Sequence, residues 1–477
     1  MRTVKIALAV LLLIVAGAAG ALPWYLGWQT EAGFKAGFEH AARDVSSPLS
    51  LSLVRYERGW LDSSAVHRVT LKADPEVYFD VHHAIRHLPD PASGLVVVQS
   101  TPRWPDKVQS AADYYFGAKP ALTVHTVVRF DRSVSMTLES PAFSKPMLAV
   151  PGVTLTWGGA SGEMSWESPA RVALALNLPR VEINGSGVKA VFAAIQLDGD
   201  WNVAGNQAEW SGQTTLGVGE LTFASPFGGG SLKGVQSTLI QRNQGETVLM
   251  GCLLKVREGA ATEPGAQPQG FQHAVLDIEL DRLDKKTLAK YFDDVAGAQQ
   301  AQVSQEAHAR IALQLALGMM TEMLKSSPEM RVKQLGMQTA NGSVAGSAVL
   351  SFEGRGMPAG ASQAELLSRV KFTGSAELSS TLLQAWVAKQ VRTQAAFALS
   401  QRGAPVEEAQ VRTLTEQMVQ QQLASLAASG LIKVEGDKFV VRAEFAEGKL
   451  SINGMAGDQF LPGLLPAVLP RGDDREA

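Results

Sequence analysis

The chain of 477 residues has a single cysteine, Cys252. This excludes an intrachain disulfide framework and any cysteine-rich zinc or iron–sulfur site. Charge is also scarce: charged residues make up 19% of the chain, against about 25% in typical soluble domains. Lys and Arg together number 43, and Asp and Glu together number 46, so no basic surplus supports a nucleic-acid partner. The 45% of hydrophobic residues is enough to fold a core, and the length predicts either several domains or one elongated domain.

Long apolar runs are missing except at the N-terminus. Arg2 and Lys5 precede an uncharged run over residues 6–28. Residues 4–26 would form a helix about 34 Å long at 1.5 Å per residue, enough to cross a hydrocarbon core of about 30 Å. The pattern predicts a membrane anchor over residues 1–28, with the bilayer as partner through residues 4–26 and the rest of the chain exported. The alternative is a signal peptide cleaved after Ala21, and the sequence leaves that choice open.

Residues 29–257 favour a β-rich domain. Residues 122–130 alternate apolar and polar with period two, as a half-buried strand does. Similar short stretches recur between clusters of Gly, Asn, Asp and Pro, which indicates an antiparallel meander, a sandwich or an open curved sheet. A groove and a closed sandwich both stay open. Residues 258–272, rich in Gly, Ala, Pro and Gln, predict a linker.

Beyond the linker the period changes from strands to a mixture of strands and helices. The order strand–helix–helix–strand–strand fits residues 273–358 and fits residues 359–458 again, before a loose tail over residues 459–477. Leu288 and Leu382 occupy matching Thr-Leu pairs and are predicted to be buried in equivalent places. The predicted fold class is therefore α+β, with an N-terminal transmembrane helix, a long antiparallel β-rich region and a duplicated strand–helix–helix–strand–strand module.

Sites of chemistry are few. His83 and His87 stand four apart, a spacing that on a helix turns two imidazoles towards one metal. However, Ala84 stands where a zinc peptidase needs Glu, and Pro89 follows at once. No Gly-x-Ser-x-Gly elbow and no glycine-rich phosphate loop is present. We therefore predict no catalytic, metal-binding or cofactor-binding residue, and no cofactor.

One stretch, residues 49–65, stands out. It reads as an alternating strand, a glycine turn, an aromatic residue and a second strand. Tyr56, Gly59, Trp60 and Ser63 form a Tyr-x-x-Gly-aromatic-x-x-Ser pattern in which the chain resembles the YdgA-like family of bacterial envelope proteins of unknown function. The family's later His-Gly-Pro stretch has Leu in place of Gly here, in His87-Leu-Pro.

The resemblance implies a single-pass protein of the bacterial inner membrane with most of its chain in the periplasm, and it implies no activity. We interpret the four motif residues as structural. In this hypothesis Gly59 permits a strained turn, Trp60 packs into the first sheet, and Ser63 bonds backbone near the turn.

Three classes of function remain. A non-enzymatic protein could bind lipid or another hydrophobic ligand in a curved β-sheet. Alternatively, the repeated units could form a structural or interaction scaffold with an envelope protein as partner. An enzyme is the least favoured class, because no convergent set of titratable groups is visible. The ligand and the oligomeric state do not follow from the sequence.

Overall fold

The computed structural model describes residues 22–36, 49–72, 74–87, 94–167, 170–203, 209–262, 269–300, 305–358, 362–400 and 407–457. The predicted tail over residues 459–477 lies outside this part of the chain. Antiparallel β-structure dominates the described residues. The chain divides into two compact units: residues 1–231 with 288–318, and residues 232–287 with 319–477.

The first unit is built on ten strands in one antiparallel ladder. Its elements are α1 (residues 22–36), β1 (Leu49–Arg58), β2 (Asp62–Leu71), β3 (Asp74–Arg86), β4 (Val96–Arg103), α2 (Asp106–Phe116), β5 (Thr123–Val128), β6 (Val134–Ser140), β7 (Phe143–Pro146), β8 (Val153–Trp157), β9 (Ala160–Glu167), β10 (Arg171–Gly185), β11 (Val188–Asn202) and β12 (Ser211–Ser225). Strands β1 to β6 pair in sequence order, β6 pairs with β9, and β9 to β12 continue the ladder. The 15-residue β10 also pairs with β8, which in turn pairs with β7.

The second unit is also built on antiparallel strands, whereas residues 288–318 of the two helices named next belong to the first unit. The elements that follow β12 along the chain are β13 (Gly228–Gln244), β14 (Thr247–Thr262), β15 (Gln269–Asp284), α3 (Lys285–Gln300), α4 (Gln305–Leu324), β16 (Glu329–Thr339), β17 (Gly342–Phe352), α5 (Gln363–Ser368), β18 (Val370–Ser379), α6 (Ser380–Ser400), α7 (Glu408–Ala428), β19 (Lys433–Glu435), β20 (Lys438–Ala446), β21 (Lys449–Ile452) and β22 (Met455–Ala456). Strands β14 to β18 pair in order, β18 pairs with β20, and β20 to β22 complete the ladder. The three-residue β19 pairs with β20.

The structure contradicts the membrane element of the predicted fold class. In the part of the chain that is described, no helix is both long and apolar enough to cross a membrane. This finding overturns the predicted N-terminal transmembrane helix and the single-pass inner-membrane localisation derived from it. Residues 4–21 of the predicted span lie outside the described residues. Residues 22–26 begin α1, which also includes Glu31 and Lys35.

The predicted separation of a β-rich region from two α+β modules is also corrected. Strand occupies most of the predicted linker, because β14 continues to Thr262 and β15 begins at Gln269. The helix pairs are insertions in a continuing ladder. Strand β15 pairs with β16, the first strand after its helices, whereas β18 pairs with β20, the second strand after its helices. The order strand–helix–helix–strand–strand thus recurs with two different pairings.

The two Thr-Leu pairs do not have equivalent surroundings. Asp284 caps α3, since its Oδ1 accepts hydrogen bonds from the Thr287 amide at 2.8 Å and from the Thr287 hydroxyl at 2.7 Å. Leu288 is buried on that helix. The Thr381 hydroxyl instead donates to the carbonyl of Asn341, and Leu382 is only half-buried. The matching sequence therefore reflects similar helix starts in different packing.

The core of the second unit lies between the α6–α7 hairpin and the sheet. Its buried side chains are Val387, Val391, Val419, Leu423 and Phe439. Residues of α6 and α7 enter this cluster at spacings of four, which is the period of one helix face. Burial of these apolar side chains holds the hairpin on the sheet.

This packing generates a stability prediction. We expect Phe439→Ala to lower the free energy of unfolding of the second unit by about 3–5 kcal/mol, because a buried aromatic side chain is lost and leaves a cavity. Urea denaturation checks it. Phe397→Ala on α6 is the matched control, since that ring is 65% exposed and its loss should change stability by no more than about 0.5 kcal/mol. Equal effects of the two substitutions would contradict the assignment of the core.

Candidate functional site

The motif predicted from the sequence forms the β1–β2 hairpin and its turn. Gly59 does not adopt a left-handed backbone conformation. It is required for a different reason: a Cβ at this position would lie 2.3 Å from the carbonyl oxygen of Asp62. The prediction that Trp60 packs into the sheet is wrong, because its side chain is 58% exposed at the turn.

Ser63 does not bond backbone near the turn but faces a histidine. Its Oγ shares a hydrogen bond of 2.8 Å with Nε2 of His87. Ser63 is buried and His87 is 0% exposed. The two residues are 24 positions apart, and the antiparallel pairing of β2 with β3 brings them together. The sequence feature that drew attention to His87 is the His87-Leu-Pro stretch, which follows the motif.

A second polar chain lies on the same face of the sheet. Nδ1 of His67 lies 2.5 Å from Nε2 of His83, and the two rings are stacked with centroids 4.8 Å apart. Nδ1 of His83 shares a hydrogen bond of 2.7 Å with Oγ of Ser100. His82 points to the opposite face and is exposed. The three histidines of this stretch therefore do not converge, and the described residues contain no group of three or more metal-ligating side chains.

Burial keeps these imidazoles neutral. Desolvation lowers the pKa of His67 and that of His83 to about 4. Desolvation also lowers the pKa of His87. The backbone of Pro23 opposes part of this last shift, yet the buried Nδ1 of His87 makes no hydrogen bond of good geometry to any described residue. Each of the three rings is therefore uncharged at pH 7.

Tyr56 belongs to the same buried cluster. Burial raises the pKa of its phenol above the usual value. Its hydroxyl oxygen is buried and has no hydrogen-bond partner of good geometry among the described residues. Its ring packs against the hydrophobic cluster of Ala65, Ile85, Val96 and Val98. Of the four motif residues, Tyr56 and Ser63 thus lie inside the sheet's covered face, and Gly59 and Trp60 lie in the turn.

Helix α1 covers this cluster. Pro23 and Gly27 are buried against the sheet, and a Cβ on Gly27 would lie 2.9 Å from Cε1 of His87. Two turns further on, Phe34 meets the rings of Tyr56 and His83 edge-on, with centroids 5.9 and 5.3 Å away. The spacing of these contacts, four and then seven residues, is that of one face of a helix.

The Ser63–His87 contact has the distance that a nucleophile and its base require. The rest of a catalytic arrangement is absent from the described residues, because no carboxylate bonds Nδ1 of His87 and α1 covers the pair. In this conformation the contact satisfies two buried polar groups and connects the motif to β3.

The other feature is the exposed continuation of the same sheet face. Directly paired residues of antiparallel strands point to the same side, so the register defines which side chains share the face. On β6 and β9–β12 these are Val134, Met136, Leu138, Met164, Trp166, Val172, Leu174, Leu176, Leu178, Ile195, Leu197, Trp201, Leu216 and Val218. We name these fourteen side chains the apolar face. None of them is buried, and Trp166 and Leu216 are 48% and 41% exposed.

Behind the rows of the apolar face, the reverse side of these strands carries polar or small side chains. Its side chains include Ser135, Thr137, Glu139, Ser161, Glu163, Ser165, Asn177, Gln196, Asp198, Asp200, Gln213 and Thr215. A sheet with one apolar and one polar face normally packs its apolar side on another layer. Here the layer is α1 over the β1–β4 end, where the apolar side chains are buried, whereas their neighbours on β6 and β9–β12 remain half-exposed.

The contact between α1 and His87 yields a prediction about two glycines of the same helix. We expect Gly27→Ala to weaken the docking of α1 by about 1–3 kcal/mol, because the added methyl group overpacks the buried ring. Gly33→Ala is the matched control: no atom lies within 4 Å of its Cβ position, so it should stabilise the helix by about 0.5–1 kcal/mol. Hydrogen exchange of residues 22–36 measures both. If Gly27→Ala protects α1 as well as Gly33→Ala does, the close contact is not a constraint.

Comparisons with known proteins match the chain to a protein family. No curated protein and no solved structure matches the chain. A family model described as a bacterial protein of unknown function, DUF945, matches residues 3–456, and the matched range includes the motif hairpin, α1 and both ladders. The chain therefore belongs to the DUF945 family of bacterial proteins of unknown function.

Proposed function

We propose that this protein is a non-enzymatic binding protein, and that the apolar face of β6 and β9–β12 holds the hydrocarbon part of a lipid or of another extended apolar ligand. One observation supports the proposal: fourteen large apolar side chains are half-exposed on one side of these strands, and the opposite side of the same rows is polar. The YdgA-like resemblance of the motif hairpin contributes no activity to this proposal.

The size of the face supports a ligand-binding role. Five strands at a spacing of about 4.8 Å, and four rows of side chains two residues apart along each strand, span roughly 20 Å by 20 Å. The resulting patch of roughly 400 Å² is in the range at which the largest apolar patch of a protein marks a binding site. At about 25 cal/mol per Å², covering the patch would yield about 10 kcal/mol before the costs of association.

The chemistry of the face favours hydrocarbon over a charged ligand. No Asp, Glu, Lys, Arg or His lies in the four rows of the face, and the row beyond Leu178, Ile195 and Val218 carries Arg180 and Glu220. The polar exceptions within the four rows are hydroxyl groups such as Thr214, which accepts a hydrogen bond from Nε1 of Trp201 at 2.7 Å. A ligand's hydrocarbon chain can therefore lie across the strands without burying an unpaired charge. A headgroup would stay in solvent.

The alternative function is an interaction scaffold, and one observation favours it. Leu313, Leu317 and Met320 on α4 are 61%, 55% and 59% exposed. Their spacing of four and three residues places them on one helix face, as in helices that dock in a partner's groove. The experiment below distinguishes the two functions, because a scaffold does not need the sheet face to be apolar.

The proposal predicts the effect of a charge on the face. We expect Leu216→Asp to weaken the binding of a fluorescent long-chain fatty acid at least tenfold, because a bound hydrocarbon chain would desolvate the new carboxylate. Leu216 is 41% exposed, so the folded state tolerates the substitution. Fluorescence titration of the purified full chain measures the change, and extraction of lipid from protein purified in mild detergent supplies the second test.

Thr215→Asp is the matched control for this experiment. Thr215 is adjacent in sequence, and its side chain lies on the polar side of the same strand, opposite Asp198. It should bind the probe as the unmodified protein does. Equal loss of affinity in both variants, or no binding of the probe to the unmodified protein, would refute the proposed function.

A further inference from the structure

The covered cluster and the exposed apolar face are one surface. A single row of directly paired residues begins with Tyr56, Ala65, His83 and Ser100 on β1–β4, beneath α1. It continues through Val124, Leu138, Gly162, Leu176, Leu197 and Leu216 on the strands from β5 to β12. Helix α1 therefore occupies one end of a longer face whose other end is uncovered.

The helix contributes little apolar surface to this contact. Its inward face is made of small or polar residues together with Pro23, Phe34 and the half-buried Leu26. Four of its large side chains point away from the sheet: Leu22, Trp24, Tyr25 and Trp28 are 42–49% exposed. Release of α1 would thus sacrifice little apolar burial, which is what a movable cover requires.

We propose that α1 is a removable cover of this surface, that protonation of the histidines beneath it releases the helix, and that its release extends the ligand-binding face onto β1–β4. The last part of this inference rests on the proposed function, whereas the release of the helix does not. The extension would add four strands, or about 19 Å at 4.8 Å per strand.

Few charges surround the histidines to compensate a proton. The titratable and charged groups that act on them or on their neighbour Tyr56 are His82 and Asp80 on β3, Arg68 on β2, Asp62 at the start of β2, Arg58 on β1, and Glu31 and Lys35 on α1. Asp80 is the carboxylate that acts on His67, but it is bonded at 2.8 and 3.0 Å by the guanidinium of Arg68. Asp62 acts on His87. On His83, the neighbouring groups that act are two further imidazoles.

The direction of the effect follows from proton binding. A solvated histidine has a pKa near 6.5, and His83 under the cover has a pKa of about 4. The released form therefore binds more protons than the docked form between pH 6.5 and 4, so docking weakens as the pH falls through this window. To the extent that α1 supplies the burial, the ratio of docked to released helix would fall by up to about 300-fold through His83 over the whole window.

Hydrogen exchange of the full chain tests the release without any ligand. We expect residues 22–36 to lose protection at least tenfold between pH 7 and about pH 4.5, after correction for intrinsic exchange rates, while β10–β12 stay protected. The double variant His83→Gln/His87→Gln should remove most of this dependence. His82→Gln is the matched control: its exposed side chain points to the opposite face, and although its imidazole acts on His83, its removal should leave most of the pH dependence in place.

Three results would overturn the inference. They are an unchanged protection of residues 22–36 at low pH, a loss of protection in β10–β12 that accompanies α1, and an equal effect of His82→Gln and the double variant. If the double variant does not fold, Gly27→Ala replaces it: it should expose α1 to exchange at pH 7 without acid. Equal protection of α1 in this variant and in the unmodified protein at pH 7 would likewise refute a removable cover.

The extension of the face has a separate readout. Binding of the fluorescent fatty acid should strengthen several-fold in Gly27→Ala at pH 7, and Leu216→Asp should abolish that gain. If α1 loses protection from exchange while fatty-acid binding is unchanged, α1 is still a removable cover, but the extension of the ligand-binding face onto β1–β4 is refuted. Absence of fatty-acid binding in every variant would refute the proposed function and leave the pH-dependent release as measured.

Discussion

The register of the antiparallel ladder is the constraint on which the first unit depends. A shift of one residue in any pair would turn an apolar row to the polar side. Instead, one row runs without interruption from Tyr56 through His83 to Leu216, across ten strands. The consequence is a sheet with two chemically distinct sides, on which a cover at one end and an exposed surface at the other share the same rows.

The polar residues beneath α1 are the exception within this pattern. Replacing an apolar side chain by histidine in a covered row costs desolvation unless the ring finds partners. Contacts to His67 and Ser100 offset this desolvation cost for His83, and the hydrogen bond to Ser63 offsets it for His87. Gly27 then lets the helix approach the His87 ring where any side chain would collide. The motif residues, together with residues distant in sequence, therefore form the surface on which α1 packs.

Local patterns in the sequence identified many of the elements. Alternation over residues 122–130 corresponds to β5, and the apolar periodicity after residue 300 corresponds to α4 and α7. The same local patterns gave wrong predictions where packing against residues distant in sequence determines the structure. The uncharged run near the N-terminus indicated a membrane span, yet residues 22–26 lie in a helix that packs Pro23 on the sheet. The Gly/Ala/Pro-rich stretch indicated a linker, although most of it pairs in β14 and β15.

The sequence by itself determined the antiparallel strands, the helical pairs and the hairpin that contains Tyr56 and Ser63, because period, turn residues and glycine act over short distances. Tertiary structure alone decided that Ser63 meets His87, that Trp60 is exposed, and that the side of the sheet that α1 covers on β1–β4 is apolar and half-exposed on β6 and β9–β12. The physical reason is that strand alternation shows which residues share a side of one strand but contains no information about which strand lies beside it, and the pairing between strands determines whether separate apolar stripes align into one surface.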